Sequence, residues 1–564
     1  MQVFYPASSA NRVIPNYSEY NDYIPPMKWI AAEELLAFRR CRRQPYLQQF
    51  GPQEQQIPPS DFLTQLRQGR QNHRDTVKLN APGIDVGAFN SKSWPELHAR
   101  ALRTLELMAA GEERIYRGVL MYPLNLPGNP MLVCKPDILV RSPLPSPSTE
   151  PTSQPPTEGV DSHNPEGSHS DSLLAALQPV SLSFLHPNDR KWHYIPADVR
   201  ASKRVKSDYA MVLALHSEVL HMVWGIDSDR AFAILADKQW RRVGLRAAKQ
   251  NARQLLRDYS TAMARSEPPD VHMTRSRCSL CTWQDHCRSV ARAEHPLTLL
   301  PGITATIYAT LKDIDVITVD ALAGTTSDRI QHLPGIGQTT AHRLIRQARA
   351  ERDGTALPLK PYALPRSPIE LYFDIEAEPQ QNVAYLLGVL AVNRHHNEST
   401  FYPFLADHPD NEQDCWNNFV QLTQRYPSAP IYHFHAFEIH TCRQLADRYS
   451  TSRVILQQIL NRMVDLHEIA SKCVVMPVES YSLKHMAKWQ GFSWRQDDAG
   501  GAQAVYWYAQ WLKTGDRSYL DASVTYNEDD CLATYHLKRW LEHWEADHYP
   551  TPVTSLARCE IPAS

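Results

Sequence analysis

The stretch IELYFDIEA, residues 369–377, places apolar residues at every second position and is typical of a β-strand. Successive side chains of a strand point to opposite faces, so Asp374 and Glu376 lie on one face while their neighbours are buried on the other. Two carboxylates on one face repel each other unless cations join them. The stretch therefore predicts a strand that carries a metal-binding pair of acids.

Two further apolar runs follow this strand. They are VAYLLGVLAVN at 383–393 and STFYPFLA at 399–406, and both have the residue types of strands. Three consecutive strands with short connections predict an antiparallel meander. A new α/β domain is therefore expected to begin at residue 368.

Further acids follow the meander. Glu438 comes after an apolar run in IYHFHAFEIH, and Asp530 comes four residues after Tyr526 in the helical pattern VTYNEDDCLATYHLKRW. This spacing puts the phenol one helical turn from the acid, where it can orient an attacking water. Together with Asp374 and Glu376, these residues predict a site that hydrolyses a substrate with two metal ions.

Other acids of this region have weaker signals. Asp465 is a second-rank candidate ligand, and Glu528 and Asp529 are expected to be solvated. The alternative for the main set is an exposed strand edge and a helix cap without metal.

The order Asp-x-Glu, a second acid, then Tyr-x3-Asp resembles the DEDD exonucleases of the ribonuclease H-like superfamily over residues 367–545. The resemblance implies an RNase H-like fold and a catalytic set that uses Mg²⁺ or Mn²⁺. The metal ligands would be Asp374, Glu376, Glu438 and Asp530, with Tyr526 as a catalytic residue. The superfamily usually has Asp in the second motif, where this chain has Glu438.

Residues 296–352 contain two short helical units that each open with Leu-Pro-Gly-Ile. The second, HLPGIGQTTAHRLIRQARA at 332–350, has the form of a helix-hairpin-helix. The turn at Gly335 and Gly337 opens a helix N-terminus whose N–H groups can bind a phosphate. The alternative is a helical spacer with a glycine cap. Three arginines are spaced to present a basic face to DNA: Arg343, Arg346 and Arg349.

Three cysteines lie close together in RCSLCTWQDHC, where Cys278, Cys281 and Cys287 are spaced C-x2-C-x5-C. With the remote Cys41 they form a set of four thiols that suits either zinc or a [4Fe–4S] cluster, and spacing alone does not separate the two. Buried cysteines without a ligand role are the alternative, above all for Cys41. The other cysteines have the pattern of scattered thiols: Cys134, Cys415, Cys442, Cys473, Cys531 and Cys559.

A second resemblance covers about residues 27–290. The order of Cys41, a loose match to a Gly-x-x-His pattern at Gly69–His73, Pro136-Asp137, Asp198 and the cysteine triplet resembles that of the iron–sulfur RecB-like nucleases, which have the PD-(D/E)xK fold. The resemblance implies a [4Fe–4S] cluster held by Cys41, Cys278, Cys281 and Cys287. It also implies that His73, Asp137 and Asp198 form a second Mg²⁺ or Mn²⁺ site.

This second site departs from the family pattern. Arg200 stands where the family has lysine, and Val212 and His216 stand where it has glutamine and tyrosine. Arginine stays charged and cannot act as a deprotonated base. The alternative for this domain is a scaffold that holds DNA and has lost hydrolysis.

These patterns predict an α/β multi-domain chain: a PD-(D/E)xK-type domain, a small all-α helix-hairpin-helix domain and an RNase H-like domain. The segment 142–172 is almost free of aromatic and aliphatic residues and is expected to be a disordered insertion within the first domain, an inter-domain linker being the alternative. The predicted ranges are a tail at 1–26, domains at 27–295, 296–352 and 368–545, a Pro-rich linker at 353–367, and a tail at 546–564.

Composition narrows the class of protein. The 564 residues carry a net charge of −2, so nucleic-acid binding must come from local basic patches. No stretch approaches the ~20 apolar residues of a membrane helix, and the N-terminus lacks a signal-peptide pattern, so a cytoplasmic protein with no membrane partner is expected. The Walker A pattern is absent, so a helicase motor would be a separate partner.

The sequence therefore predicts a metal-dependent nuclease that cleaves DNA with 3′–5′ exonuclease chemistry in its C-terminal domain, in DNA repair or recombination. Two alternatives stay open: a catalytically degenerate nucleic-acid-binding scaffold, and an RNA-processing exonuclease.

Overall fold

The computed structural model describes residues 29–80, 82–87, 93–124, 126, 130–143, 192–379, 381–496 and 499–549. The chain divides into two compact units. Unit 1 contains Met1–Gln53 and Arg67–Pro269, and unit 2 contains Glu54–Leu66 and Asp270–Ser564. The predicted domain limits divide the chain more finely than this and stay predictions.

Unit 1 has a mixed α/β fold. Its strands are β1 (Trp29–Ala31), β2 (Ile84–Asp85), β3 (Arg114–Tyr116), β4 (Leu120–Pro123), β5 (Met131–Cys134), β6 (Ile138–Pro143), β7 (Trp192–Val199), β8 (Arg230–Ile234) and β9 (Trp240–Gly244). Its helices are α1 (Ala32–Arg40), α2 (Arg43–Phe50), α3 (Asp61–Leu79, of which the part from Arg67 belongs to this unit), α4 (Trp94–Ala110), α5 (Ser207–Trp224) and α6 (Arg246–Met263).

The larger sheet of unit 1 has the order β2-β3-β6-β7-β8-β9 among the described residues. Its strands β6 and β7 are antiparallel, with Pro143 opposite Trp192. The segment between them therefore connects two neighbouring strands of one sheet, and the insertion inside one domain stays a prediction. From residue 144 onward the predicted disordered insertion lies outside the described residues.

Unit 2 begins with short helices. They are α7 (Arg275–Cys278), α8 (Gln284–Glu294), α9 (Ala305–Lys312), α10 (Val319–Gly324), α11 (Ser327–Ile330) and α12 (Gln338–Asp353). Gly302 and Gly335 have φ of +90° and +79°, in the left-handed region that favours glycine, and each makes the turn that precedes a helix. Buried aliphatic residues from both hairpins, such as Leu311 and Leu344, share one core.

The rest of unit 2 is an α/β fold. Its strands are β10 (Leu357–Pro358), β11 (Ile369–Glu378), β12 (Val383–Asn393), β13 (Glu398–Leu405), β14 (Ile431–His433), β15 (Met463–Asp465) and β16 (Val474–Val475). Its helices are α13 (Glu412–Arg425), α14 (Phe437–Arg448), α15 (Arg453–Leu460), α16 (Leu466–Cys473), α17 (Leu483–Trp489), α18 (Gly501–Thr514) and α19 (Arg517–His548).

The main sheet has the order β13-β12-β11-β14-β15 in the described chain. The first three strands are antiparallel, which confirms the predicted meander, and β14 and β15 are parallel to β11. Phe373 and Ile375 point to one face, where they pack with residues of α13 and α14. Tyr372 points to the other face and packs with residues of α19. The central strand therefore directs its even-numbered side chains, including Asp374 and Glu376, towards the long helix.

The predicted Pro-rich linker at 353–367 is packed into this fold. It contains β10, which pairs with β16, and the Tyr362 hydroxyl donates to the Leu541 carbonyl at 2.7 Å. Helix α19 continues to His548, two residues past the predicted start of the C-terminal tail at residue 546.

No helix in the described part of the chain combines the length and the apolar character that a membrane span requires.

Candidate metal-binding active site

Three carboxylates meet between the central strand and the long helix. Oxygen atoms of Asp374, Glu376 and Asp530 all lie within 4.8 Å of one another. Glu376 is only 6% exposed, and Asp374 and Asp530 are partly buried. The strand alternation and the helix together therefore bring three of the sequence-predicted acids into one cluster.

Asp530 is held by two neighbours. The Trp494 indole Nε1–H donates to Oδ1 of Asp530 at 2.8 Å. The phenol of Tyr526, one helical turn earlier, also hydrogen-bonds to this carboxylate. Tyr526 and Asp530 thus lie one turn apart on α19, and their catalytic roles stay predictions.

Asp374 is held by Asn527. The Asn527 Nδ2–H donates to Oδ2 of Asp374 at 2.7 Å and approaches the Asp374 carbonyl at 3.3 Å. Asn527 is fully buried because it packs on Gly388, the residue opposite Asp374 on β12. A Cβ atom at Gly388 would lie 1.6 Å from Oδ1 of Asn527. Only glycine at this position therefore leaves room for the side chain that orients Asp374.

Glu438 lies in the first turn of α14 and is 3% exposed. It lies outside the group of three, but its charge acts on both Asp374 and Glu376. Its Oε2 is 3.5 Å from Nδ1 of the fully buried His433. Oδ1 of Asp465 accepts the backbone N–H of His467 at 2.9 Å and caps α16, and metal ligation by Asp465 stays a prediction.

The electrostatics of the cluster disfavour negative charge. Burial, followed by the charges of Asp530, Glu376 and Glu438, raises the pKa of Asp374 well above its ordinary value. Burial and neighbouring acids raise the pKa of Glu376 in the same way. Burial raises the pKa of Asp530 to about 7, although its bonds to Trp494 and Tyr526 act in the opposite direction.

A divalent cation would relieve this repulsion. Closely spaced carboxylate oxygens are the hard donors that Mg²⁺ and Mn²⁺ prefer. Burying three like charges together is costly unless a cation compensates them. The donor set of Asp374, Glu376 and Asp530 therefore fits a divalent metal ion.

A mixed sheet with an acidic cluster at its central strand, closed by an acid from a long helix, is the arrangement of an RNase H-like domain. Residues 371–542 match a family model of the RNase_H superfamily. Residues 295–350 match the model of the SAM-like helix-hairpin-helix tandem. No curated protein matches the chain. The predicted α/β multi-domain fold class, with an RNase H-like and a helix-hairpin-helix domain, is thereby confirmed, and these two domains support nuclease activity on nucleic acid.

Sequence reasoning missed several neighbours of the acids. Trp494 comes from a separate segment and has no local signal, whereas Asn527 directly follows Tyr526 and could have been noticed. The prediction of a solvated Asp529 is wrong. Asp529 is 2% exposed and accepts from both the backbone N–H and the Nε–H of Arg495 at 2.8 Å.

The predicted second metal site, which lies in unit 1, is arranged differently from the cluster of Asp374, Glu376 and Asp530. Nε2 of His73 lies 3.1 Å from the Leu235 carbonyl oxygen. Asp137 and Asp198 are adjacent, since the backbone N–H of Asp137 donates to Oδ1 of Asp198 at 3.3 Å. Among the described residues, His73, Asp137 and Asp198 do not form a group of ligands within 4.8 Å. A RecB-like nuclease site stays a prediction.

The helix-hairpin-helix residues divide into two sets. Gly335 and Gly337 are exposed at the turn before α12. The three arginines each donate to a backbone carbonyl: Arg343 to Ser471 at 3.1 Å, Arg349 to Ala323 at 2.9 Å, and Arg346 to Pro358. Arg343 and Arg349 are nevertheless exposed and Arg346 is half-buried, and DNA contact by these arginines stays a prediction.

The cysteines also divide into two sets. Cys41, Cys278, Cys281 and Cys287 are half-buried, while Cys134, Cys415, Cys442, Cys473 and Cys531 are buried. The Thr274 backbone N–H points to Sγ of Cys278 at 3.3 Å. Cys559 lies outside the described residues. Metal binding by the half-buried set stays a prediction.

Tyr526→Phe should lower the rate of cleavage about tenfold, because the loss of one hydrogen bond to Asp530 is worth roughly 1.4 kcal/mol. The rate at saturating Mn²⁺ measures this effect, since the carboxylates themselves stay in place. Tyr535→Phe, on the same helix, is the matched control and should leave the rate unchanged. Equal rates for Tyr526→Phe and the native protein would remove Tyr526 from the catalytic set.

Proposed function

We propose that the RNase H-like domain is a metal-dependent exonuclease that shortens DNA from its 3′ end. One observation carries this proposal: Asp374, Glu376 and Asp530 are partly or fully buried, and their carboxylate oxygens lie within 4.8 Å of one another. Such an arrangement is suited to holding cations on a substrate phosphate.

Each residue of the site has a role in this proposal. Asp374, Glu376 and Asp530 would hold the cations, with Glu438 as a fourth acid. Bound Mg²⁺ or Mn²⁺ would supply an activated water and charge stabilisation at the leaving oxygen. The Tyr526 hydroxyl, bonded to Asp530, orients that water. Asn527 and Trp494 fix the two aspartates, so little reorganisation is needed when substrate binds.

DNA is the preferred substrate because of the second domain. The exposed turn at Gly335 and Gly337 precedes the 16-residue helix α12, whose N-terminus can accept a backbone phosphate without contact to bases. A role in DNA repair or recombination, with a separate helicase to unwind duplexes, follows from this combination. The RNA-processing exonuclease and the degenerate scaffold are the alternative functions.

Digestion of end-labelled strands tests the proposal. The full chain, with Mn²⁺, is incubated with single-stranded and duplex DNA and with RNA of the same sequence, labelled at either end. A ladder that shortens a 5′-labelled DNA strand stepwise supports 3′–5′ action. Immediate release of a labelled mononucleotide from the 5′ end would indicate 5′–3′ polarity instead. Faster cleavage of RNA than of DNA would favour the RNA-processing exonuclease. No cleavage of any substrate would favour the degenerate scaffold.

Metal should stabilise the domain, and more so at higher pH. Asp530 has its pKa raised from 3.8 to about 7, so the metal-free folded chain binds protons that the unfolded chain releases. The contribution of Asp530 to the stability of the metal-free protein should therefore be largest below pH 4 and should fall as the pH rises towards 7. In EDTA at pH 8, Asp374→Asn should have a higher melting temperature than the native protein. With Mn²⁺ in place of EDTA, the melting temperature of the native protein should rise far more than that of the variant. A native melting curve that Mn²⁺ does not shift would contradict cation binding.

We further propose that Cys41, Cys278, Cys281 and Cys287 hold a [4Fe–4S] cluster, with zinc as the alternative. Protein purified without oxygen should be brown and contain about four iron atoms per chain. Cys281→Ser should lose the iron, while Cys442→Ser, at a buried cysteine of the other set, should retain it. Stoichiometric zinc without iron would exclude the cluster.

A further inference from the structure

A short turn between β14 and α14 decides where Glu438 lies. Strand β14 is parallel to the central strand β11, with Tyr432 opposite Tyr372. The residues after β14 therefore run beside the part of β11 that carries Asp374 and Glu376. Glu438 follows in the first turn of α14. The conformation of this turn thus sets the place of the fourth acid beside the other three.

The imidazole of His433 holds the turn from inside the domain. His433 is fully buried, and its Nδ1 lies 2.8 Å from the carbonyl oxygen of His435. A carbonyl oxygen can only accept, so Nδ1 carries the proton and donates in this bond. The same nitrogen lies 3.5 Å from Oε2 of Glu438. One buried donor therefore contacts both the turn and the acid that the turn presents.

The carboxylate of Asp465 holds the turn from the neighbouring strand. Asp465 is opposite His433 in the pairing of β14 with β15, and its Oδ1 accepts the His435 backbone N–H at 2.9 Å. The same oxygen accepts the His467 backbone N–H at 2.9 Å. The carboxylate of Asp465 therefore joins the segments that follow the two strands.

His435 has a backbone conformation that needs such support. Its φ is +80°, in the left-handed region that residues other than glycine rarely adopt. Such a conformation persists only where the surrounding structure holds it. The exposed ring of His435 contacts the ring of His467 at a centroid distance of 4.7 Å, but both polar bonds are made by its backbone. The turn is thus held at its carbonyl by His433 and at its N–H by Asp465.

We propose that His433 and Asp465 are positioning residues that place Glu438 for binding of the cations, through the backbone of His435. The inference rests on the proposed cation binding of this domain, and neither residue touches the metal ion in this role. Loss of either bond should let the turn leave its left-handed conformation, and Glu438 would move with the start of α14. Partners that orient a metal ligand typically contribute about 10-fold to 100-fold to metal affinity.

Mn²⁺ binding by the full chain tests this role without any substrate. Free Mn²⁺ is measured by electron paramagnetic resonance, and the site is the binding that Asp374→Asn removes. His433→Gln lacks a donor at the place of Nδ1 and should weaken this binding by about 10-fold. His433→Asn has an Nδ2–H at that place and should retain most of the affinity. A role in packing alone would give the opposite order, because glutamine fills more of the buried volume than asparagine.

A mutant cycle shows whether His433 acts through Glu438. Glu438→Gln should weaken Mn²⁺ binding, and the double variant His433→Gln/Glu438→Gln should bind no more weakly than Glu438→Gln alone. The control is His440→Gln, at an exposed position of α14, which should bind like the native protein. Equal affinities of His433→Gln and His440→Gln, or full additivity in the double variant, would overturn the proposal.

A second pair of variants tests Asp465, even if His433→Gln does not fold. Asp465→Asn keeps an oxygen that accepts the two N–H groups and keeps a good cap for α16, so it should fold and retain the affinity. Asp465→Leu should lose it. A loss in Asp465→Asn as large as that in Glu438→Gln would make Asp465 a metal ligand and overturn its positioning role. A native chain that binds Mn²⁺ but cleaves no strand would contradict the proposed exonuclease, whereas the order of the Mn²⁺ affinities decides the roles of His433 and Asp465.

Discussion

Asp374→Asn is expected to lower the initial rate of cleavage by about 10²–10³-fold, the range known for loss of a preorganised charge in an active site. The amide keeps the shape of the side chain but loses the charge that holds a cation. It also changes the partner of Asn527, whose Nδ2–H donates to the Asp374 carboxylate at 2.7 Å. The measurement is the initial rate on an end-labelled strand at saturating Mn²⁺.

Asp137→Asn is the matched control because it makes the same chemical change in the other unit. Asp137 forms an ion pair with Arg74, and its Oδ2 accepts the Val199 backbone N–H at 2.8 Å. The variant should lose some stability in unit 1 and far less of its cleavage rate. If Asp137→Asn abolishes cleavage while Asp374→Asn does not, the active site lies in unit 1 and the assignment is reversed.

The acids of the site could be predicted because their signals are local. Asp374 and Glu376 are two residues apart on a strand with clear alternation, and Tyr526 and Asp530 are four apart on a helix. In both cases the period of one element fixes which side chains share a face. The strand and the helix meet because both bury their apolar faces. The resemblance to a known order of motifs indicated that the acids of the strand and the acid of the helix belong to one site.

The remaining neighbours depend on contacts between distant segments. Arg495 pairs with Asp529 across more than thirty residues, so an acid beside the ligand is buried where the sequence predicted a solvated one. Arg343, Arg346 and Arg349 have the spacing of a basic face, yet each donates to a backbone carbonyl of another segment, as Arg343 does to Ser471. A periodic pattern shows which residues share a face and leaves open what covers that face.

Gly388 shows how a residue without functional groups can control the site. Gly388→Ala would place a methyl group 1.6 Å from Oδ1 and 2.8 Å from Cγ of Asn527, and 3.1 Å from the Phe401 ring. Real atoms do not approach so closely, so Asn527 must move. Its helix is 32 residues long and packed on the sheet, so the side chain has to give way before the backbone does.

Two losses should follow in Gly388→Ala. Overpacking costs about 1–3 kcal/mol of unfolding free energy. Displacement of Asn527 breaks the hydrogen bond that orients Asp374, and misplacement of a reacting group by about 1 Å can cost 10²-fold in rate. Gly324→Ala, at a helix end with open space around it, is the control and should change neither property.

The double variant Gly388→Ala/Asn527→Ala separates the two losses and gives the sharpest test. Truncating Asn527 removes the steric overlap, so the double variant should melt higher than Gly388→Ala alone, a coupling that a mutant cycle measures directly. Its cleavage rate should stay as low as that of Asn527→Ala, because no group then holds Asp374. If the double variant recovered the rate along with the stability, Gly388 would matter for packing alone and Asn527 would have no part in positioning the carboxylate.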